Sequence, residues 1–201
     1  MDLMGPMQVE SIAGKRYVFV CVDDFFRFTW IDFLKEKSET FDIFKKLCKR
    51  LKNEKGGNIE KIIRIRSDHG KEFENGIFFD YCNKHGIAHE FSAPKTPQQN
   101  GVVERKNRTL QEMARVMINS KKLSTRLWEE AINTACYTIN RVYLRSSTHK
   151  TAYELWKGKK PNLSYFHVFG CTCYILNDKE HLGKFQAKID KGIFLGYSLN
   201  S

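Results

Sequence analysis

Residues 16–34 read RYVFVCVDDFFRFTWIDFL, and their texture decides the fold class. Residues 16–24 form a nearly continuous run of β-branched and aromatic side chains, the pattern of a buried strand. Residues 27–34 repeat it with partial alternation, so the pair is expected as an antiparallel hairpin turning through Asp23, Asp24, Phe25 and Phe26. Downstream, Ser38 stands where a helix cap belongs. Glu39 and Asp42 occupy the first turn, Phe41, Phe44, Leu47, Cys48 and Leu51 share one face, and Gly56 and Gly57 end the pattern. KIIRIR at 61–66 reads as the next strand. A helix over about 72–84, with Glu72 at its start, and a short strand at 87–91 follow.

A long helix opens within SAPKTPQQNGVVERKNRTL, residues 92–110, where Thr96 is a cap, Pro97 a first helical residue and Gln99 a partner for the cap amide. Val103, Leu110, Met113, Ala114, Met117 and Ile118 recur at helical spacing, which commits one face to a core. Beside that stripe Glu104, Arg108, Gln111 and Arg115 fall at i, i+4, i+7 and i+11, neighbours on one strip. On an isolated helix such a strip is an ordinary solvated Glu-to-Arg pair. Ser124 begins a further helix with Trp128, Ala131, Ile132, Ala135, Ile139 and Val142 on its apolar side. TAYELWKGKKPN then reads as a short helix and a basic linker, and from Phe166 onward short strands with glycine turns read as a small β module. Strands alternating with helices imply a mixed sheet flanked by helices, an α/β layer.

The net charge of +11 is uneven. Residues 1–100 hold 17 basic and 15 acidic side chains, whereas residues 101–160 hold 13 and 5. A basic surface on helices is the footprint of a polyanion, nucleic acid above all. No apolar run is long enough to span a bilayer and no signal peptide is present, so a soluble protein with no membrane partner is expected. The Asn-x-Ser/Thr triplets at Asn107 and Asn162 then read as accidental. Six cysteines without paired spacing read as reduced and mostly buried. Cys82, His85 and His89 come closest to a zinc set and lack a fourth ligand.

Three acids stand at strand ends or on the first turn of a neighbouring helix: Asp2 in DLMGP, Asp68 in SDHGKEF, and Glu104. Side chains so placed can converge, and Mg2+ takes several hard oxygen ligands. Two such ions about 4 Å apart can activate an attacking hydroxyl and stabilise a leaving oxygen in phosphoryl displacement. Asp23 and Asp24 also end a strand, His69 adjoins Asp68, and Trp30, Trp128 and Trp156 read as packing.

Asp68 and Glu104 are separated by 35 residues, and with Asp2 upstream this resembles the catalytic acids of retroviral and retrotransposon integrases. DLMGP, VDDFFRF, RSDHGKEF, HEFSAPKTPQQNGVVERKNRTLQE, LWEEAINTACYTINR and KGIFLGYS resemble the integrase region of plant copia-type Pol polyproteins over essentially the whole chain. The resemblance implies a ribonuclease H-like catalytic core over 1–145, a linker with a short helix over 146–165, and an incomplete SH3-like β module over 166–201. It implies Asp2, Asp68 and Glu104 as catalytic ligands of two Mg2+ or Mn2+ ions. Asn100, Arg108 and Gln111 would touch the DNA end, with Arg115 next on the same strip. It implies DNA integration, homo-oligomers, and action in the nucleus after a cytoplasmic particle stage. Arginine suits phosphate through its fork of donors, and glutamine can bond backbone or base.

The departures are an absent zinc-binding domain, an abrupt end after GIFLGYSLNS, and Met1 alone ahead of Asp2. A first strand so shortened is expected to leave Asp2 on a fraying terminus. The alternative reading is therefore a catalytically inactive DNA-binding fragment of a degenerate retroelement. An ordinary ribonuclease H is disfavoured by the KTPQQNGVVERKNRTL block.

Overall fold

The structure, a computed structural model, describes residues 1–54, 62–92, 100–146, 148–177 and 188–198. Two compact units emerge, Met1–Leu110 and Gln111–Ser201.

In the first unit β1 (Asp2–Met4), β2 (Tyr17–Val22) and β3 (Thr29–Leu34) form an antiparallel sheet in that order, with Asp2 opposite Val20 and Val20 opposite Ile31. The expected hairpin is present. Asp23 Oδ1 accepts from the backbone N–H groups of Phe25 and Phe26, and Arg27 takes φ 60°, so the turn closes on side-chain bonds. Val18, Phe19 and Val20 are fully buried, as a continuous apolar strand requires.

The strand β4 (Arg64–Ser67) pairs in parallel with β5 (Ala88–Phe91), Ser67 opposite Phe91. The Met1 nitrogen donates to the Arg66 carbonyl at 2.6 Å, a single bond that ties the chain terminus to β4. The bond makes no ladder: the strands of this unit form one antiparallel sheet and one parallel pair, flanked by helices in the expected α/β manner. The expectation that Asp2 frays is corrected: ladder bonds to β2, the Met1 bond to β4, and burial of the Met1 side chain to 7% exposure hold this strand. Gly5 ends it at φ 138°, where a Cβ would lie 2.8 Å from the Arg16 carbonyl.

Helix α1 (Thr40–Glu54) buries Ile43, Phe44, Leu47, Cys48 and Leu51, each side chain worth about 1.5–3 kcal/mol of apolar transfer. Ser38 does not cap it. Residues Lys37–Glu39 form a 3-10 turn first, and the Glu39 carboxylate takes the Lys35 N–H instead. Helix α2 (Gly76–His85) also starts later than Glu72, because the Asn75 side chain accepts from the Phe78 N–H and the Phe73 and Glu74 amides turn back onto the Gly70 carbonyl. Gly86 ends it at φ 65°. Phe41, Phe44, Phe73, Phe78 and Tyr81 interlock between the two helices, with Phe44 and Phe78 centroids 5.0 Å apart. The stop signals Gly56 and Gly57 and the start signals Thr96, Pro97 and Gln99 lie outside the described residues.

Helix α3 (Gly101–Ser120) carries the stripe expected of it, with Val103, Leu110, Ala114 and Ile118 buried. In the second unit Ser124 caps a 3-10 turn that runs into α4 (Trp128–Val142), and Thr151 and Glu154 form a reciprocal capping box on α5 (Ala152–Lys157). The strands β6 (Thr172–Leu176) and β7 (Ile189–Ile193) pair antiparallel. The chain after β7 returns to α4: Thr134 Oγ1 donates to the Leu195 carbonyl, and Tyr197 stacks on Tyr137 at 4.0 Å and 13°. The Arg141 guanidinium lies 3.4 Å from the Tyr137 centroid. Gly196, at φ 130°, lets the backbone pass where a Cβ would run into Thr134 Oγ1. No helix among the described residues is long and apolar enough to cross a membrane.

Candidate active site

Asp2 sits on β1 with both carboxylate oxygens engaged. Oδ1 accepts from the Leu3 N–H at 2.8 Å, and Oδ2 accepts from Asn107 Nδ2 at 2.7 Å. Burial holds its carboxyl above the ordinary 3.8; the charges of Asp68 and Glu104 push the same way, and the Leu3 N–H and the N-terminal charge oppose them. The charges of Asp68 and Glu104 thus both reach Asp2. Asp68 follows β4, half-buried, its Oδ1 accepting from the Gly70 N–H at 3.1 Å. Glu104 is exposed in the first turn of α3, with no ion pair to Arg108 among the described residues.

Asn107 was legible only as part of an Asn-x-Thr triplet. Its position carried a stronger signal: residues 103, 107, 110, 114 and 118 form the buried stripe of α3, and Asn107 is the polar member at 9% exposure. A buried amide on a core face requires a partner, and here the partner is Asp2. Its Oδ1 remains buried with no hydrogen bond.

A second acid, Glu72, stands near Asp68. Gly70 separates its carboxylate from that of Asp68: a Cβ at Gly70 would stand 2.9 Å from Glu72 Oε2 and 3.0 Å from Asp68 Oδ1. Lys37 Nζ holds the Glu72 side chain at 3.2 Å. His69 is fixed by Glu74 at 3.1 Å and by stacking on Phe91 at 5.0 Å.

Asn100 is buried just ahead of α3, its carbonyl accepting from the Glu104 N–H at 3.1 Å. Arg108, Gln111 and Arg115 are exposed along α3. Asp23 serves its turn, and Asp24 pairs with Arg27 at 3.1 Å. The zinc-like trio is dispersed into packing: Cys82 is buried, His85 lies against Tyr81, and His89 bonds Ser67 Oγ at 2.9 Å.

Carboxylate oxygens are the donors that hard divalent cations take, and the repulsion that Asp68 and Glu104 exert on Asp2 is what such a cation would relieve. The unpartnered Asn107 oxygen adds a neutral acceptor. The donor chemistry fits. Among the described residues, no three His, Cys, Asp or Glu side chains stand close enough together to hold a metal ion.

Residues 1–97 match the family described as Integrase core domain, and residues 171–201 match the Retroviral polymerase SH3-like domain. The Retrovirus-related Pol polyprotein from transposon TNT 1-94 of Nicotiana tabacum is 39% identical over 98% of this chain and 14% of its own length. The corresponding polyprotein from transposon RE2 of Arabidopsis thaliana is 35% identical over 94% of this chain and 13% of its own length. The chain thus spans about one seventh of these relatives. The magnesium complex of the HTLV-2 integrase catalytic core domain, trimeric form, superposes with a TM-score of 0.55 at 22% identity, covering 76% of this chain and 93% of that one. The chain carries an integrase core domain and is, over nearly its whole length, a relative of the plant copia-type retrotransposon Pol polyproteins.

Proposed function

We propose that this chain is the catalytic region of a DNA strand transferase that processes retroelement DNA ends and joins them to target DNA. The observation that carries the reading is the Asp2 carboxylate, half-buried, bonded by Asn107 one turn along from Glu104 and lying within the fields of Asp68 and Glu104. In the reaction, water and then a DNA 3′ hydroxyl attacks a phosphodiester phosphorus; the new P–O bond forms as the opposite one breaks, and the proton of the nucleophile passes to solvent. Asp2, Asp68 and Glu104 would hold one or two divalent cations, Mg2+ or Mn2+, which when bound would activate the nucleophile and offset charge on the leaving oxygen. The Asn107 amide fixes the Asp2 carboxylate in one rotamer. Arg108 and Gln111, with Arg115 further along α3, present donors to the phosphates of the DNA end, and Asn100 sets the start of that helix.

Magnesium in the HTLV-2 catalytic core supports the choice of metal, and its trimeric form supports homo-oligomers here. A chromosomal target places the reaction in the nucleus. We take residues 1–145 as the catalytic core, 146–165 as linker and 166–201 as the SH3-like module.

The test is strand transfer from a duplex with a recessed 3′ hydroxyl into plasmid DNA, in Mg2+ or Mn2+. Wild-type chain should yield joined products and Glu104→Gln none, with DNA affinity kept or raised. An active Glu104→Gln variant removes Glu104 from the site. Cleavage of an RNA/DNA hybrid with DNA ends left intact would move the chain to ribonuclease H chemistry.

A further inference from the structure

Helix α1 carries Lys45, Lys46, Lys49, Arg50 and Lys52 with no acidic side chain between them, inside a first hundred residues whose charges otherwise nearly balance. Lys45 is neutralised by Asp42 at 2.9 Å. Lys46, Lys49, Arg50 and Asn53 recur at spacings of three, one and three, so they form one strip on the side of α1 away from its buried stripe. With Glu54 they line an open depression of about 520 Å3. Among the described residues none of Lys46, Lys49 and Arg50 has an ion-pair partner. Arg50 is half-buried, and its shielded Nε makes no hydrogen bond, a costly state for a guanidinium nitrogen.

We infer that this strip is a docking surface for the phosphate backbone of duplex DNA, on an element that carries none of the three acids. From residue 46 to residue 50 the helix rises about 6 Å, close to two steps of about 3.4 Å along one DNA strand. Three cations within that length can face neighbouring phosphates, and Arg50 supplies the fork that suits a phosphate's paired oxygens. Strand transfer engages two duplexes, so a second basic surface outside α3 has work to do. The inference rests on the chain handling DNA, and not on its catalysing the reaction.

The experiment measures binding of the full chain to a short duplex of arbitrary sequence, by fluorescence anisotropy across a salt series. Each phosphate contact contributes about 0.9 to the slope of log affinity against log salt. Lys46→Gln with Lys49→Gln should flatten the slope by about 2, and adding Arg50→Gln by about 3. Lys46 and Lys49 are exposed, so the double variant decides the matter should the triple variant lose its fold by circular dichroism. A slope unchanged from wild type in the folded double variant overturns the inference. So does polyglutamate binding that the double variant loses while keeping its duplex slope, which would assign the strip to an acidic protein. An inactive wild-type chain whose duplex slope still flattens in the variants keeps this surface and sinks the catalytic reading; active variants with an unaltered slope do the reverse.

Discussion

The side-chain amide of Asn107 donates to Oδ2 of Asp2 at 2.7 Å, bridging 105 positions of sequence between the first strand and the helix that bears Glu104. Asn107→Ala should therefore cost about 1–3 kcal/mol of stability, because a half-buried carboxylate oxygen loses its donor. Strand transfer should fall further than stability does, with duplex affinity preserved, since Arg108 and Arg115 are untouched. Chemical denaturation, transfer assays and anisotropy on the one variant check all three. Full activity would reduce Asn107 to a packing residue.

Without divalent metal, Asp2→Asn should stabilise the protein near neutral pH. The folded-state carboxyl binds its proton more tightly than the unfolded one, so stability present below the ordinary 3.8 is lost as pH rises through the raised value. Asparagine has no charge to lose, and one amide oxygen still accepts from Asn107 or Leu3. The melting temperature gain, measured in chelator, should shrink as pH falls below 3.8. Mg2+ should raise the melting temperature of wild type and leave that of Asp2→Asn nearly unmoved.

His89 carries the opposite sign. Burial, aided by the N-terminal charge and opposed by Glu74, lowers its imidazole below the ordinary 6.5, while its ring bonds Ser67 and packs on Phe91. The unfolded chain takes up this proton first, so the stability His89 contributes is complete above 6.5 and fades as pH falls through the lowered value. His89→Gln should flatten the stability profile below 6.5 in urea titrations at stepped pH.

In the second unit, Tyr197→Phe should cost about 1 kcal/mol, the bond its hydroxyl accepts from the His167 N–H. Tyr197→Ala should cost more, since stacking on Tyr137 and contacts with Phe166 and Phe194 add about 0.5–1.5 kcal/mol per aromatic pair beyond their buried area. Thermal melts of the two variants, ranked, provide the check.

The hairpin, both interlocked helices and the α3 stripe were legible because each depends on periodicity within a single element. The late start of α2 was not, because Asn75 outcompetes Glu72 as the first-turn residue only through a bond to Phe78. Asp2 was expected to fray because only Met1 precedes it, and nothing near Met1 announces the bond to Arg66, more than sixty residues downstream. Asp68 and Glu104 stand out in the sequence through the family resemblance that their spacing carries. Asn107 and Glu72 were hidden because their partners, Asp2 and Lys37, are remote in sequence. The last motif, GIFLGYS, makes sense only once Gly196 and Tyr197 are seen lying along α4 at Thr134 and Tyr137.

The proposal that Asp2, Asp68 and Glu104 hold one metal site together is tested most directly by Mn2+ binding to the full chain, followed by paramagnetic resonance. Wild type should bind the ion, and Asp2→Asn, Asp68→Asn and Glu104→Gln should each weaken it by at least about tenfold, equivalent to about 1.4 kcal/mol. Equal affinity in all four proteins, or loss in only one variant, would contradict a site built by three acids together.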